Sequence, residues 1–169
     1  MPFNLLKVYN QQLDLLHLNK TQRTNSLLGI FDRDICNNPS FLFRQKPIYP
    51  TPTEDGEAAM ETLFNHLTRK ITDKSLRQRE FDIERSCRLH WVRHHIENKK
   101  KENMLCFSVK EPNGIRTYLY DIVERYVIVL EPLRDNTAYF LITAFPLLGK
   151  DRARDSIMKK YKRKLIEVY

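Results

Sequence analysis

The chain has 169 residues, of which 41% are hydrophobic and 30% are charged, with only four glycines. This composition supplies enough apolar side chains for one domain, or for a compact domain with an extension, and it excludes a disordered or fibrous chain. No apolar run approaches the ~20 residues of a membrane span, and the first residues lack the basic and apolar segments of a signal peptide. Three cysteines at unpatterned spacing favour free thiols in a reducing compartment. We therefore expect a cytoplasmic globular protein that has no membrane partner.

The charge of the chain gives the first indication of a partner. The 29 lysines and arginines exceed the 21 acidic residues, so that the net charge is +8 at pH 7. A surplus of this size favours binding to a polyanion, chiefly nucleic acid or an anionic membrane surface. A generically basic soluble protein is the alternative interpretation. The surplus is concentrated in two segments, residues 69–101 and 150–164.

The first half of the chain has the periodicity of helices. Apolar residues at three- and four-residue spacing predict helices over residues 5–16 and 27–35. The three prolines within residues 47–52 predict an extended segment, because they are incompatible with a helix interior. A third helix is expected after Thr53, which would cap it. A fourth and longer helix is expected over residues 81–99.

After residue 103 the pattern changes to that of β-strands. Pro112-Asn113-Gly114 is a hairpin turn signal between the first two apolar runs. Short polar links make consecutive antiparallel pairing the expected arrangement. A basic helix is expected to follow the last strand. The predicted strands are 105–109, 115–121, 126–130 and 138–145.

These elements predict an α+β fold with two regions. Residues 1–74 form an N-terminal helical region that would act as a cap, an interface or an inhibitory segment. Residues 75–169 form an α+β domain with a helix, a four-stranded antiparallel sheet and the basic C-terminal helix. We see no internal repeat and no low-complexity segment.

Metal and nucleotide chemistry find little support in the sequence. The glycines are isolated, so there is no phosphate-binding loop, and no Gly-x-Ser-x-Gly nucleophile motif is present. Cys87, His90 and His94 would share one face of the predicted fourth helix, and histidines four residues apart can chelate zinc. However, Trp91 stands where a zinc protease of this type has its glutamate, and no second Cys/His cluster follows. We therefore expect no metal and no cofactor.

The same predicted helix carries groups suited to phosphate binding and proton transfer. His90 or His94 can serve as general base or acid, because imidazole titrates near pH ~6.5. Arg88 and Arg93 can pair with a phosphate through their planar guanidinium groups. RNA cleavage by attack of the 2′-hydroxyl needs a base, an acid and fixed cations, and does not require a metal. A solvated basic helix with incidental histidines is the alternative.

Two predicted strands add candidate residues. Arg116, Tyr118 and Tyr120 share one face of the second strand, and a cation beside two aromatic rings suits single-stranded nucleic acid. Alternating tyrosines are also ordinary in strands, so a purely structural role is the alternative. Thr143 on the last strand can offer a hydroxyl group to phosphate, although a threonine in a strand is usually structural.

Residues 81–97 (FDIERSCRLHWVRHHIE), 116–120 (RTYLY), 126–130 (YVIVL) and 139–146 (YFLITAFP) together carry a resemblance to a known group. Over residues 81–147 the chain resembles nucleases borne by phages and mobile elements, in the group of barnase, EndoU, colicin-type and RelE-like toxins. The resemblance implies a helix followed by a four-stranded antiparallel sheet, with metal-independent RNA cleavage in the cleft between them. It further implies that the catalytic positions are His90, Arg93, Arg116 and Thr143. Residues 43–52 and the third helix have no counterpart in minimal toxins.

We therefore expect a metal-independent endoribonuclease of toxin or phage-defence type. His90 would transfer the proton, Arg93 and Arg116 would clamp the phosphate, and Thr143 would support it. RNA is the expected partner, with a neutralising antitoxin or immunity protein as a possible second one, and the oligomeric state is open. The alternatives are a non-catalytic nucleic-acid-binding protein on the same scaffold and a protein-binding adaptor or inhibitor. Further residues expected to contact nucleic acid are Arg88, His94, Tyr118, Tyr120, Lys159, Lys160, Lys162 and Arg163.

Overall fold

The computed structural model consists of a mixed sheet with helices packed against both of its faces. The structure describes residues 3–54, 57–97, 100–149 and 152–169. Within these ranges the helices are α1 (Lys20–Phe31), α2 (Ala59–Thr68), α3 (Ile83–Ser86), α4 (Trp91–Ile96) and α5 (Arg152–Lys162), with a 3-10 turn at Phe3–Leu6 and a π-helical turn at Asp32–Cys36. The strands are β1 (Leu42–Phe43), β2 (Lys46–Pro50), β3 (Arg69–Asp73), β4 (Gln78–Phe81), β5 (Met104–Glu111), β6 (Gly114–Asp121), β7 (Tyr126–Pro132) and β8 (Tyr139–Pro146). No helix in the described ranges is both long and apolar enough to cross a membrane.

The sheet is six-stranded and mixed, in the order β1-β2-β8-β7-β6-β5. The prediction of a four-stranded antiparallel sheet is therefore wrong, although the antiparallel meander β5–β8 that it described is present. The difference arises from residues 48–50, which pair in parallel with residues 139–141 at the start of β8. β1 then pairs with β2, and β3 and β4 form a separate antiparallel hairpin. The proline-rich segment is thus extended, as expected, but it belongs to the sheet.

The predicted first helix, residues 5–16, is wrong. After the 3-10 turn the chain has no regular structure until Lys20. The Asn4 side chain accepts a hydrogen bond from the Asp14 amide at 2.9 Å and donates one to the Asp14 carbonyl at 3.0 Å, which closes this segment into a loop. Side-chain bonds of this kind give the backbone an alternative to helical bonds. In this loop Leu13 is buried whereas Leu16 is 81% exposed.

The predicted helix over residues 81–99 is wrong in its continuity. Phe81 ends β4, Asp82 caps the one-turn helix α3 through the amides of Glu84 and Arg85, and α4 begins only at Trp91. Residues 98–99 of the predicted helix lie outside the described residues. The physical reason is that the face expected to be wet is also covered: Cys87 and His90 on that face are 4% and 5% exposed. Short turns that wrap the core bury such a segment better than one amphipathic helix does.

The second and third predicted helices are present with different starts. α1 begins at Lys20, where Asn19 and Gln22 form a capping box, and it continues beyond Phe31 into the π-helical turn. α2 begins at Ala59, six residues beyond the predicted cap Thr53. The Thr53 hydroxyl donates to the Glu57 carbonyl and so does not accept from a helix amide. The basic C-terminal helix is confirmed as α5.

The core draws on both of the regions expected from the sequence. One cluster joins Leu27 of α1 and Leu63 of α2 to Trp91 of α4 and Ile128 of β7. A second cluster lies on the other face of the meander, where Ile157 of α5 packs with side chains of β5, β6 and β7. The expected boundary between residues 74 and 75 lies in the turn that links β3 to β4. Residues on either side of it therefore share one core.

Candidate functional site

A basic cleft lies between α2 and the β3–β4 hairpin. Its volume is about 640 Å³, which is enough for a nucleotide-sized ligand. The lining side chains are mainly polar and cationic, and one is a histidine. They are Glu57, Thr62, Asn65, His66, Arg69, Ile71, Lys74, Arg77 and Arg79.

Local sequence patterns place these side chains on one side of the molecule. α2 turns Leu63, Phe64 and Leu67 into the core, so that His66 is left half-buried at the helix edge. In the hairpin, Arg79 of β4 lies opposite Ile71 of β3. Arg69 lies two residues before Ile71 and therefore shares its face, because side chains alternate along a strand. The end of α2 and the hairpin thus form the two walls of the cleft.

Four cations line the cleft without acidic partners among the described residues, unlike Arg93 and Arg116, which were expected to clamp the phosphate and which both form ion pairs. Arg69, Lys74, Arg77 and Arg79 form no ion pair with any carboxylate in the described part of the chain. Glu57 is the single acidic side chain among the described residues of the lining. Burial, and next the nearby Arg85, lower the pKa of Arg79. Guanidinium groups stay protonated under such conditions, so the cleft attracts anions.

His66 is the one side chain among the described residues of the cleft lining that ordinarily titrates near neutral pH. Burial lowers the pKa of its imidazole below the ordinary value of 6.5, Arg79 lowers it further, and a hydrogen bond to the Ile142 backbone acts in the opposite direction. Arg85 adds a smaller lowering effect. Because the pKa is lowered, the imidazole is neutral at pH 7, so His66 can accept a proton. A base and cations without acidic partners are two of the components that phosphoryl transfer uses.

Arg85 of α3 lies behind the cleft wall. Its Nη1 donates to the carbonyl oxygens of His66 at 3.0 Å and Arg69 at 3.3 Å, and to the Thr143 hydroxyl at 3.3 Å. Its Nε lies 3.4 Å from a carboxylate oxygen of Asp82. Thr143 of β8 also donates to the His66 carbonyl, at 3.4 Å. Of the four catalytic residues expected from the sequence, Thr143 is therefore the one that lies beside this cleft.

Two of the expected catalytic residues lie at a different cavity. His90 and Arg93 line a pocket of about 180 Å³ together with His94. The His90 ring is buried, with Nε2 3.0 Å from the Val8 carbonyl, and burial lowers its pKa. Arg93 pairs with Glu97 at 2.8 Å and with the buried Asp34 at 3.5 Å. Its charge is thus already neutralised by acidic neighbours.

The remaining expected residues of the sheet are paired or covered. Arg116 forms an ion pair with Glu131 at 3.0 Å. Tyr118 and Tyr120 lie in the second core cluster beneath α5, 6% and 1% exposed, so neither ring face is open to a base. The Tyr118 hydroxyl donates to Glu111 at 3.0 Å.

The basic helices contain both paired and exposed cations. Lys160 of α5 pairs with Glu111, and Arg88 pairs with Glu84 at 2.8 Å. Lys159, Lys162 and Arg163 are exposed at the C-terminal end of α5 and just beyond it. His94 stacks face to face on Tyr9, with ring centroids 3.9 Å apart. The structure therefore does not bring the expected nucleic-acid-binding residues together as one surface.

His66, Arg69 and Arg79 form a cluster that the sequence pattern did not assign. The available signal was the start of the basic segment at residue 69, while nothing in the sequence joined His66 to it. No group of three metal-ligating side chains converges in the described ranges. Comparisons with protein-family models, with curated proteins and with solved structures found no match for this chain.

Proposed function

We propose that the chain is an endoribonuclease that cleaves RNA without a metal ion, and that the cleft between α2 and the β3–β4 hairpin holds the scissile phosphate. The observation that carries this proposal is the set of four cations, without acidic partners among the described residues, around a histidine whose pKa is lowered. The reaction class is that of the nucleases which residues 81–147 resemble. The location of the site differs from the one that the resemblance implies.

The proposed step is an internal transfer of the phosphoryl group. His66 takes the proton of the 2′-hydroxyl while the 2′-oxygen forms a bond to phosphorus. The bond from phosphorus to the 5′-oxygen breaks, and the proton held by His66 passes to that leaving oxygen. The products are a 2′,3′-cyclic phosphate and a 5′-hydroxyl end. Arg69 and Arg79 offset the charge that develops on the non-bridging oxygens, which is the larger contribution in such sites.

His66 suits the role of base better than His90 does. Both rings have a lowered pKa, but His66 lines the larger cleft among unpaired cations. His90 is buried and bonded to the Val8 carbonyl, and the arginines of its pocket already have carboxylate partners. A phosphate gains more from cations that have no other partner.

The test is cleavage of end-labelled single-stranded RNA in EDTA, resolved on a denaturing gel. His66→Ala is expected to lower the rate by about 10²–10⁴-fold, the usual contribution of a general base. His17→Ala removes an exposed histidine that lies outside the cleft, and it should cleave at the wild-type rate. His66→Ala that cleaves at the wild-type rate would refute the assignment. Loss of cleavage in a folded His90→Ala variant, with His66→Ala active, would restore the location expected from the sequence.

A second candidate function is nucleic-acid binding without turnover. It is favoured by one observation: among the described residues that line the cleft, His66 is the single side chain that ordinarily titrates near neutral pH. The same experiment separates the two functions, because a salt-sensitive gel shift without products would support binding alone. The adaptor alternative is not decided by the N-terminal apolar residues, because Leu13 is buried and Leu5 and Tyr9 pack against the core, whereas Leu16 is 81% exposed.

A further inference from the structure

We propose that Arg85 is a positioning residue for the cleft. It fixes the positions of His66 and Arg69 through their backbone and does not contact the substrate. This inference rests on the proposed function of the cleft. Arg85 is absent from the lining, yet it contacts the backbone of two residues that line it. Its side chain is 21% exposed, so the guanidinium is largely shielded from water.

The contacts of Arg85 join three elements at one point. The His66 carbonyl belongs to the last turn of α2, where carbonyl groups have no partner within the helix. The Arg69 carbonyl lies at the first residue of β3, and Thr143 lies in β8. A cation at the C-terminal end of a helix is also favoured by the helix dipole. Arg85 therefore fixes the angle at which the chain leaves α2 and enters the hairpin.

Asp82 and Phe145 hold Arg85 itself. Asp82 caps α3 with one carboxylate oxygen, and its second oxygen lies 3.4 Å from the Arg85 Nε. The guanidinium carbon lies 5.4 Å from the centre of the Phe145 ring, within the range of a cation–π contact. A lysine lacks the planar fork that serves several acceptors at once. The position is therefore specific for arginine, because charge alone does not reproduce these contacts.

Several charged groups lie near His66. Arg79 of β4 and Arg85 of α3 both act on the imidazole. The other charged residues of the cleft are Glu57, Arg69, Lys74 and Arg77. Arg85 lowers the pKa of His66, so removal of its charge is expected to raise that pKa. Burial, Arg79 and the Ile142 hydrogen bond remain in the variant.

The experiment compares Arg85→Gln, Arg85→Lys and Thr143→Val in the full chain. The two readouts are the titration of the His66 ring, followed by NMR, and the pH–rate profile on single-stranded RNA. Arg85→Gln should move the His66 titration and the acid limb of the rate profile to higher pH. Arg85→Lys keeps the charge, so its titration should stay close to that of the wild type while the cleavage rate falls by about 10–100-fold through misplacement. Arg134→Gln, which removes an exposed arginine of the β7–β8 loop, is the control.

Thr143→Val tests the same geometry in a variant that keeps the shape of the β8 side chain. It removes one acceptor of Arg85 and one donor to His66, so it should shift the His66 resonance and lower the rate. The inference is overturned if folded Arg85→Gln and Thr143→Val leave both the His66 titration and the rate at wild-type values. If the wild type binds RNA without cleaving it, the proposed catalysis fails. The His66 titration and RNA affinity of the variants then still decide the role of Arg85.

Discussion

The four unpaired cations of the cleft lead to a quantitative prediction for RNA binding. Each phosphate neutralised on a single strand contributes about −0.7 to the slope of log Kobs against log salt concentration. Arg69, Lys74, Arg77 and Arg79 should therefore contribute a slope of about −3 together. Between 50 and 200 mM salt, this slope corresponds to a loss of affinity of about 50-fold. Exposed cations on α5 add to the total, so the change caused by one substitution is the diagnostic quantity.

Arg79→Gln removes one of these cations. Its expected effect is a slope that is less negative by about 0.7, together with weaker binding at every salt concentration. Arg116→Gln is the matched variant, because Arg116 already pairs with Glu131 at 3.0 Å. A cation with a carboxylate partner releases fewer counterions from the RNA, so this variant should keep the wild-type slope.

The assay is fluorescence anisotropy of a labelled single-stranded RNA over 50–200 mM NaCl. His66→Ala serves as the background in every protein, so that cleavage does not alter the probe. An unchanged slope in Arg79→Gln would refute the phosphate-binding cleft. An equal change in Arg116→Gln would show that the ion pairs of the structure do not determine which cations bind RNA.

Two further predictions concern stability. The buried Asp121 accepts hydrogen bonds from Tyr9 at 2.5 Å, His95 at 2.9 Å and Lys100 at 2.7 Å, so Asp121→Asn should lower the free energy of unfolding by about 3–5 kcal/mol in urea melts at pH 7. Burial raises the pKa of Asp121, but these bonds hold it well below its ordinary value of 3.8. Because the pKa of Asp121 is lower in the folded state than in the unfolded state, this stabilisation is present at neutral pH and is lost as the pH falls below ~4. The free energy of unfolding of the wild type should therefore fall more steeply with acidification than that of Asp121→Asn. Equal slopes would contradict the reasoning. Gly114 has φ +119° in the β5–β6 turn, a backbone conformation that strains any residue with a Cβ even where open space surrounds it. Gly114→Ala should therefore lower the free energy of unfolding by about 1–3 kcal/mol. An unchanged thermal midpoint would show that the turn relaxes.

The meander was predictable because its signals are local. Residues 112–114 specify a tight turn, and the alternation on either side of it specifies strands whatever the rest of the chain does. The parallel pairing of β2 with β8, in contrast, depends on residues that are far apart in the chain. It joins residues 48–50 to residues 139–141, and no local pattern records such a distant partner. The proline-rich segment therefore revealed its extended backbone but not its neighbour.

The segment 81–97 shows how burial changes the outcome of a helical pattern. Its apolar spacing agrees with a helix that has one wet face, but Cys87 and His90 on that face are buried as well. Apolar periodicity predicts a helix with one exposed face, and the prediction fails when part of that face is buried as well. The expected catalytic face of this segment depended on the same assumption.

The sequence by itself determined that this chain is basic, where the charge is concentrated and that a meander of strands follows residue 103. Only the tertiary structure decided which of the described cations have acidic partners. Arg93 and Arg116 acquire carboxylate partners from other elements of the fold, whereas Arg79 lies near Arg85 and His66. A count of charges cannot distinguish these cases, because neutralisation depends on contacts a few ångströms long between residues far apart in the chain.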